Sequence, residues 1–478
     1  MTSIYSSRWV LPITAPPIEK GAVAIVGQII VGVGPRADVV AKFPDASIED
    51  FGDAAIIPGL VNAHSHLELT VMRGFLEAEE HDFFAWLRKL TIARLAMTAD
   101  DLLISATCGA IEAARAGITC LGDASSAALQ SMQALNTLGL RGIVFQESFG
   151  PDPKAANENL VKLRDQIGAM RALETDLVKA GVSPHAPYTV SARQLEMISR
   201  LAIDQKLPLM MHAAESEAEQ LFMVEGRGPF VDGLKARNIK WTSPGISTIQ
   251  YLRRHGVLEA KPLLAHCINV DDDDLDTIKE SSAGIAHCPK SNAKLGHARA
   301  PFAKFIAHGT NAGLGSDSVA SNNACDILEE ARFATLFARV SEAGPLGSAP
   351  RENELLEDPH EDVGLAHGRA SDTVTAADAL FAATLGGARA LGFDDQLGAL
   401  KPGMQADLTI INLSGAHQTP VTNPTGALVF SSTARDVILT MVAGKEIFRG
   451  NRVNAVDQDT LQSKQARIRA KLTTASLV

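Results

Sequence analysis

Long hydrophobic runs are missing from this chain. No stretch of the 478 residues approaches the ~18 consecutive apolar residues of a membrane span, and the N-terminal MTSIYSSRWVLPITAPP has no basic segment followed by a continuous apolar one. A membrane-spanning helix is excluded on that ground, and a cytoplasmic protein is the expectation. Cysteine is scarce. Cys108, Cys120, Cys267, Cys288 and Cys325 are odd in number, scattered and mostly set in apolar runs. That pattern excludes a disulfide framework and fits reduced thiols, and no CxxC pair marks a structural zinc site. An excess of positive charge is also absent, with 44 Lys and Arg against 55 Asp and Glu and a net charge of −11. The broad basic field of a dedicated nucleic-acid or anionic-membrane binder is therefore lacking, so neither is expected as a partner.

The composition is that of a globular protein, 46% hydrophobic and 21% charged, which excludes a wholly disordered, collagen-like or coiled-coil chain. The length implies two or three domains at ~100–200 residues each, or one barrel of roughly 250 residues with additions. The first fifty-odd residues read as short strands, RWVLPI, GAVAIVGQIIVGVG with a Gly-marked turn, and AAIIPGL. The same texture returns in ADLTIINL and DVILTMVAGKEIFRG. Between these ends, short apolar runs alternate with helical patterns such as ADDLLISATCGAIEAARAG, a rhythm that predicts a parallel sheet.

Eight of the apolar runs end in an ionisable side chain: His64, Asp123, Glu147, His185, His212, His266, His287 and Asp317. Such endings are awkward for a core and natural for strand ends that ring a reaction centre. The predicted fold is α/β, a (β/α)8 TIM-type barrel over residues 58–395 with a small β-sandwich domain formed from both chain ends, residues 1–57 and 396–478, the latter adding a terminal helix. The acidic run at residues 270–276 is expected to open a helix, and the Gly-, Pro- and acid-rich stretch at about 341–372 to be a surface excursion.

His64-Ser65-His66 is the first chemical signal, because residues i and i+2 of a strand face the same way and both imidazoles can point at one ion. Alone, the pair is as readily two partly exposed histidines. The balance changes with His212 ending LPLMMH, Glu215 three residues later, His266 ending PLLAH and Asp317 closing AGLGSD. Imidazoles and a carboxylate from strand ends one, five, six and eight make a ligand set suited to one divalent cation, Zn²⁺ first, with Fe²⁺ or Mn²⁺ as substitutes.

The motifs PGLVNAHSHLEL, SPHAPYT, MMHAAE, LAHC, HCPKSNAKLG, LGSDSVASNN and KPGMQADL together resemble the amidohydrolase superfamily, in its cytosine/adenosine deaminase and triazine hydrolase branch. The similarity runs through nearly the whole chain. It implies a single metal held by His64, His66, His212 and Asp317, with Glu215, His266 and Asp317 in catalytic roles. Members with two metals carry a modified Lys at the end of the fourth strand, where this chain has His185 in GVSPHAPY. These roles make chemical sense. A bound cation lowers the pKa of its water from about 15.7 to roughly 7. Glu215 then moves a proton from that water to a ring nitrogen, a step worth ~10²–10⁴-fold. His266 steadies the oxygen and Asp317 passes a second proton to departing ammonia.

His185, Glu68 and Trp86 are candidate substrate contacts, each with a structural alternative: a His bonded to backbone, a helix-start acid and a packing Trp. His287 is a candidate for supporting the ligands from behind. The reaction implied is hydrolytic deamination of the adenine-type ring of an adenosine derivative, a small nucleoside-like substrate. In the S-adenosylhomocysteine and methylthioadenosine deaminases an acidic residue precedes the Trp; here that residue is Ala85. Together with HSHLEL and VFQESFG this tilts the expectation toward aminodeoxyfutalosine. Two other readings stay open: a different hydrolase of the branch, acting on guanine or cytosine, a chlorotriazine or a cyclic amide, and a non-catalytic barrel scaffold. A homo-oligomer is compatible with all three.

Overall fold

A computed structural model describes residues 1–342, 373–453 and 455–475. Eight parallel strands form the barrel: β1 (Leu60–Ser65), β2 (Ile118–Ser125), β3 (Arg141–Ser148), β4 (Val178–Pro184), β5 (Met210–Ala213), β6 (Leu263–His266), β7 (Gly284–His287) and β8 (Asn311–Leu314). β1–β4 and β5–β8 are two continuous parallel sheets. Parallel bridges join them at both edges, Val182 with Leu209 and Ser65 with Asp317. The seams carry main-chain bonds of 2.9 Å from Val182 N to Pro208 O, from His212 N to His185 O and from Asp317 N to His64 O. The ring is closed, and two of these three bonds are made by residues at the strand ends.

The predicted helices form for the reasons expected. Ala99–Arg115 starts at Thr98, whose hydroxyl and the Asp101 carboxylate satisfy each other's backbone N–H groups, and buries Leu102, Ala106, Ala110 and Ala113 along one face. Asp271 caps the helix Asp272–Glu280 by accepting from Asp274 N at 2.8 Å, so the acidic run does open a helix. Inside the barrel, Val61, Ala63, Ile143, Phe145, Met210 and Ala286 form one apolar cluster, which Ala388 and Leu391 join. A Cβ on Gly284, the first residue of β7, would meet Ala390, so this helical segment closes the barrel beneath the N-terminal ends of the strands.

The two chain ends meet in one nine-stranded sheet. Its central pairing is antiparallel, Ala54–Pro58 against Leu408–Asn412, with Thr2–Val10 and its hairpin on one side and Val437–Val442 with its hairpin on the other. The sheet curls until Ile29 bridges Gln405 and Ile30 N donates to Met404 O at 2.9 Å, wrapping Val10, Val23, Ile25, Ile56, Ile410 and Leu439 in one cluster. Sheet and barrel touch where Gly59 follows Pro58; a Cβ there would lie 2.0 Å from Thr119 Oγ1, so only glycine permits the approach. Beside it the buried Arg141, first residue of β3, pairs with the buried Asp407 through bonds of 3.0 and 3.1 Å. The expected excursion begins within the helix Ile327–Glu342, and its residues 343–372 lie outside the described residues. Among the described residues no helix is long and apolar enough to cross a membrane.

Removing one partner of a buried ion pair strands the other in a low-dielectric site at a cost of roughly 3–5 kcal/mol. Asp407→Ala, which also orphans the Ala443 N–H now bonded at 2.7 Å, is expected to lower the urea midpoint of unfolding by a corresponding amount. An unchanged midpoint would show that the pair does not join sheet and barrel.

Candidate active site

β1 ends at Ser65, the chain passes through His66 into the helical turn Leu67–Met72, and the buried Asp123 of β2 holds this junction. Its Oδ1 accepts from Leu67 N at 2.7 Å and from the Ser65 hydroxyl at 3.0 Å. Burial pushes the Asp123 carboxyl up to about 7. His64 and His66 therefore face the same space, with ring centroids 4.9 Å apart. His212 comes in from β5, its Nε2 3.3 Å from that of His66, and Asp317 Oδ1 lies 3.4 Å from His64 Nε2 and 3.5 Å from His66 Nε2. Asp317 and His266 both have left-handed backbone, φ +54° and +75°, which bends the chain over the barrel mouth.

Hydrogen bonds behind the rings decide which nitrogens face inward. His212 Nδ1 donates to His185 O at 3.0 Å and His266 Nδ1 to Asn292 Oδ1 at 2.9 Å, leaving each Nε2 with its lone pair toward the centre. Burial holds the His64, His212 and His266 imidazoles below their usual pKa, so they stay neutral. His66 differs, because the carboxylates of Glu147, Asp317, Asp123 and Glu68 outweigh its burial and raise it. For Asp317 burial is outweighed by the surrounding imidazoles, His64 first, which hold it well below the carboxylate range. Its Oδ2 accepts from the Ser291 and Ser321 hydroxyls at 2.5 and 3.0 Å. The Nε2 atoms of His64 and His266 are buried without a hydrogen-bond partner among the described residues. Unpartnered imidazole lone pairs around an ionised carboxylate suit a divalent cation: among the described residues, His64 with His66 and Asp317, His64 with His212 and His266, and His212 with His185 and Glu147 each bring three donor atoms close enough to share one.

Glu215 stands beside this set. Its Oε1 lies 3.5 Å from His266 Nε2 and 3.8 Å from His297 Nε2, and its Oε2 accepts from the Tyr188 hydroxyl at 3.4 Å. Tyr188 stacks on Phe230 with centroids 3.8 Å apart, and Phe83 meets His297 edge-on at 4.5 Å. Burial, then Glu215 and Glu219, raise the Tyr188 phenol well above its usual range, so it stays a donor. His185 adjoins the centre as well. Its ring lies 4.7 Å from that of His212, Thr189 holds its Nδ1 at 3.0 Å, and its Nε2 faces Glu147 Oε1 across 3.9 Å.

The sequence matches the amidohydrolase family over residues 55–447. The chain belongs to that family. It is 30% identical over 461 residues to a 5-methylthioadenosine/S-adenosylhomocysteine deaminase of Nitratidesulfovibrio vulgaris, covering 95% of this chain and 93% of the relative. A protein of the same name from Symbiobacterium thermophilum is 31% identical over 445 residues, 92% of each chain. Among solved structures, an adenosine deaminase from Xanthomonas campestris with bound zinc superposes with a TM-score of 0.80 at 25% identity, covering 98% of both chains. The atrazine chlorohydrolase of Arthrobacter aurescens, complexed with zinc, has a TM-score of 0.79 at 20% identity over 98% of this chain and 99% of its own, a likeness of fold.

Other residues of this family member sit further from the centre. Glu68 is buried with both oxygens engaged, Oε1 by Arg94 at 2.9 Å and Oε2 by the Ser125 hydroxyl and Ala127 N at 2.6 Å each. Trp86 packs among Leu69, Val71, Met72 and Leu76, and it is Phe83, one turn earlier on the helix Phe83–Leu95, that reaches His297. His287 stacks on Phe302 at 5.1 Å. Tyr188, His297, Asn292, Ser291 and Glu219 were not singled out from sequence, although three of them lie inside quoted motifs: Tyr188 in SPHAPYT, Ser291 and Asn292 in HCPKSNAKLG.

His64→Ala is expected to lower the metal content measured by elemental analysis and activity together; an active variant with full metal would show a different ligand set. Burial depresses His287 to about 3, so the folded protein keeps it neutral. That contribution is fully present above the unfolded value of about 6.5 and is lost as pH falls toward 3. The stability of His287→Leu relative to the parent should therefore rise between pH 6.5 and pH 4, and a constant difference in urea midpoint would contradict it.

Proposed function

We propose that the chain is a metal-dependent aminohydrolase that releases ammonia from the amino-bearing six-membered ring of an adenosine derivative, with one zinc held by His64, His66, His212 and Asp317. The observation that carries this reading is the position of Glu215, a carboxylate beside the donor set with one oxygen near His266 and the other held by Tyr188. The cation, when bound, supplies a water acidified to near neutrality.

The remaining work falls to the chain. A ring carbon bearing an amine is a poor electrophile until the neighbouring ring nitrogen is protonated, and Glu215 Oε1 takes a proton from the attacking water and delivers it there. Tyr188 keeps Glu215 from rotating away by holding Oε2. His266 Nε2, its other nitrogen fixed by Asn292, accepts a hydrogen bond from the attacking water and orients it. Asp317 Oδ1 takes the second proton and passes it to the leaving ammonia, while Ser291 and Ser321 anchor Oδ2. Glu147 Oε1 and His185 Nε2 are two acceptors facing one gap, which suits a hydroxyl or amino group of the substrate. Phe83, Phe230 and Tyr188 form the apolar wall against which a purine can pack.

The names of the two relatives put methylthioadenosine and S-adenosylhomocysteine first among substrates. The preference for aminodeoxyfutalosine suggested by the motifs receives no support from them. Ultraviolet assays with adenosine, methylthioadenosine, S-adenosylhomocysteine and aminodeoxyfutalosine, with a guanine, a cytosine, a chlorotriazine and a cyclic amide as controls, test the reading. Ammonia release from at least one 6-aminopurine nucleoside is expected; turnover of only the controls would overturn it. Glu215→Gln should keep its metal and lose at least ~10²-fold in kcat. Unchanged turnover would remove Glu215 from the mechanism.

A further inference from the structure

The corner that carries Glu215 is held by a second carboxylate that takes no part in the proton transfers above. Glu219, on the short helix Glu217–Gln220, is fully buried. Its Oε1 accepts from Ala214 N at 2.9 Å and from the Thr248 hydroxyl at 2.7 Å, and its Oε2 accepts from Glu215 N at 2.9 Å. Two successive backbone N–H groups thus converge on one side chain, with a hydroxyl behind it. From the opposite side the Ala214 carbonyl accepts from Ile268 N and Asn269 N, both at 2.9 Å.

This corner needs such a clamp. Ala214 has a φ of +53°, a left-handed conformation that a residue carrying a Cβ disfavours. Such backbone persists only where its surroundings over-determine it. A buried carboxylate is itself costly, and the three hydrogen bonds it accepts offset that cost. An apolar side chain would fill the same space without the desolvation penalty, but it would leave two backbone donors unpaired. What the carboxylate adds is a fixed direction for the peptide from which the Glu215 side chain springs.

We infer that Glu219 is the positioning residue for Glu215, fixing the Ala214–Glu215 corner so that Glu215 Oε1 stays beside His266 and in reach of the substrate ring. The inference rests on the reading of Glu215 as the proton carrier. Misplacing a reacting group by about 1 Å can cost 10²-fold in rate, so a clamp on the backbone controls turnover without touching substrate.

Glu219→Gln replaces one acceptor oxygen with a donor and breaks at least one of the three bonds. The expected result is a fall in kcat of about 10–100-fold, the range typical of supporting residues, with KM within about threefold and metal content unchanged. Hydrogen exchange of a peptide spanning residues 213–216 should be faster by about tenfold or more for the two amides. In the Glu215→Gln background the same change should cost nothing further, because its effect passes through Glu215. Wild-type kcat, unchanged exchange, or an undiminished further loss in that background would each overturn the inference. Thr248→Val removes only the hydroxyl bond and decides the matter if Glu219→Gln does not fold: a several-fold loss of kcat with full metal supports the clamp, and wild-type kcat refutes it. Should the parent protein deaminate none of the nucleosides, the functional reading falls, while the exchange comparison still tests the clamp on its own.

Discussion

Lone pairs of like character repel unless something positive stands between them. His66 and His212 bring their Nε2 atoms to 3.3 Å, and His64 and Asp317 close on the same point. Folding alone gains nothing from that arrangement. It removes imidazoles from water and leaves the His64 and His266 Nε2 atoms unpartnered among the described residues. Much of the barrel mouth can be understood as the support this convergence requires. Asp123 holds the turn after β1, His185 O and Asn292 fix the rings of His212 and His266, and Ser291 and Ser321 occupy the far oxygen of Asp317.

The support has a second layer, in the backbone. Ala214, His266, Cys267 and Asp317 all have positive φ, and none is glycine. Each lies at or just beyond a strand end, where the chain must leave the barrel direction within a residue or two. Stable strands beneath and hydrogen-bonded loops above hold these residues in conformations they would not choose. The nine-stranded sheet stands apart from this chemistry. It joins the barrel at the start of β3 through Arg141 and Asp407, while the candidate site lies at the opposite ends of the strands.

How much of this could be read from the chain alone followed the range of the interaction. The eight strand-end residues were legible because a strand has a two-residue period and an ionisable side chain after an apolar run is conspicuous. His64, His66, His212, His266 and Asp317 were found in this way, and Glu215 by its short offset from His212. Tyr188, His297 and Glu219 were not, because their closeness to Glu215 arises from loops that fold back over the mouth, and no local period records that. Trp86 shows the limit from the other side. An aromatic side chain was visible at the start of its helix, but that Phe83 rather than Trp86 reaches His297, while Trp86 stacks behind Phe83 in an apolar cluster, depends on how the helix docks. Glu68 was visible as an acid near HxH, and its three partners, Arg94, Ser125 and Ala127, could be assigned only from the fold.

The two seams of the barrel are stitched by the same peptides that present the ring nitrogens and the carboxylate: Asp317 N to His64 O on one side, His212 N to His185 O on the other. A cation held by these side chains would tie the two half-cylinders together, because its candidate ligands come from both. Neither half holds all the candidate ligands, since His64 and His66 come from the end of β1 and just beyond it, and His212 and Asp317 from the half built by β5–β8. The candidate site is therefore complete only where the ring of strands is closed.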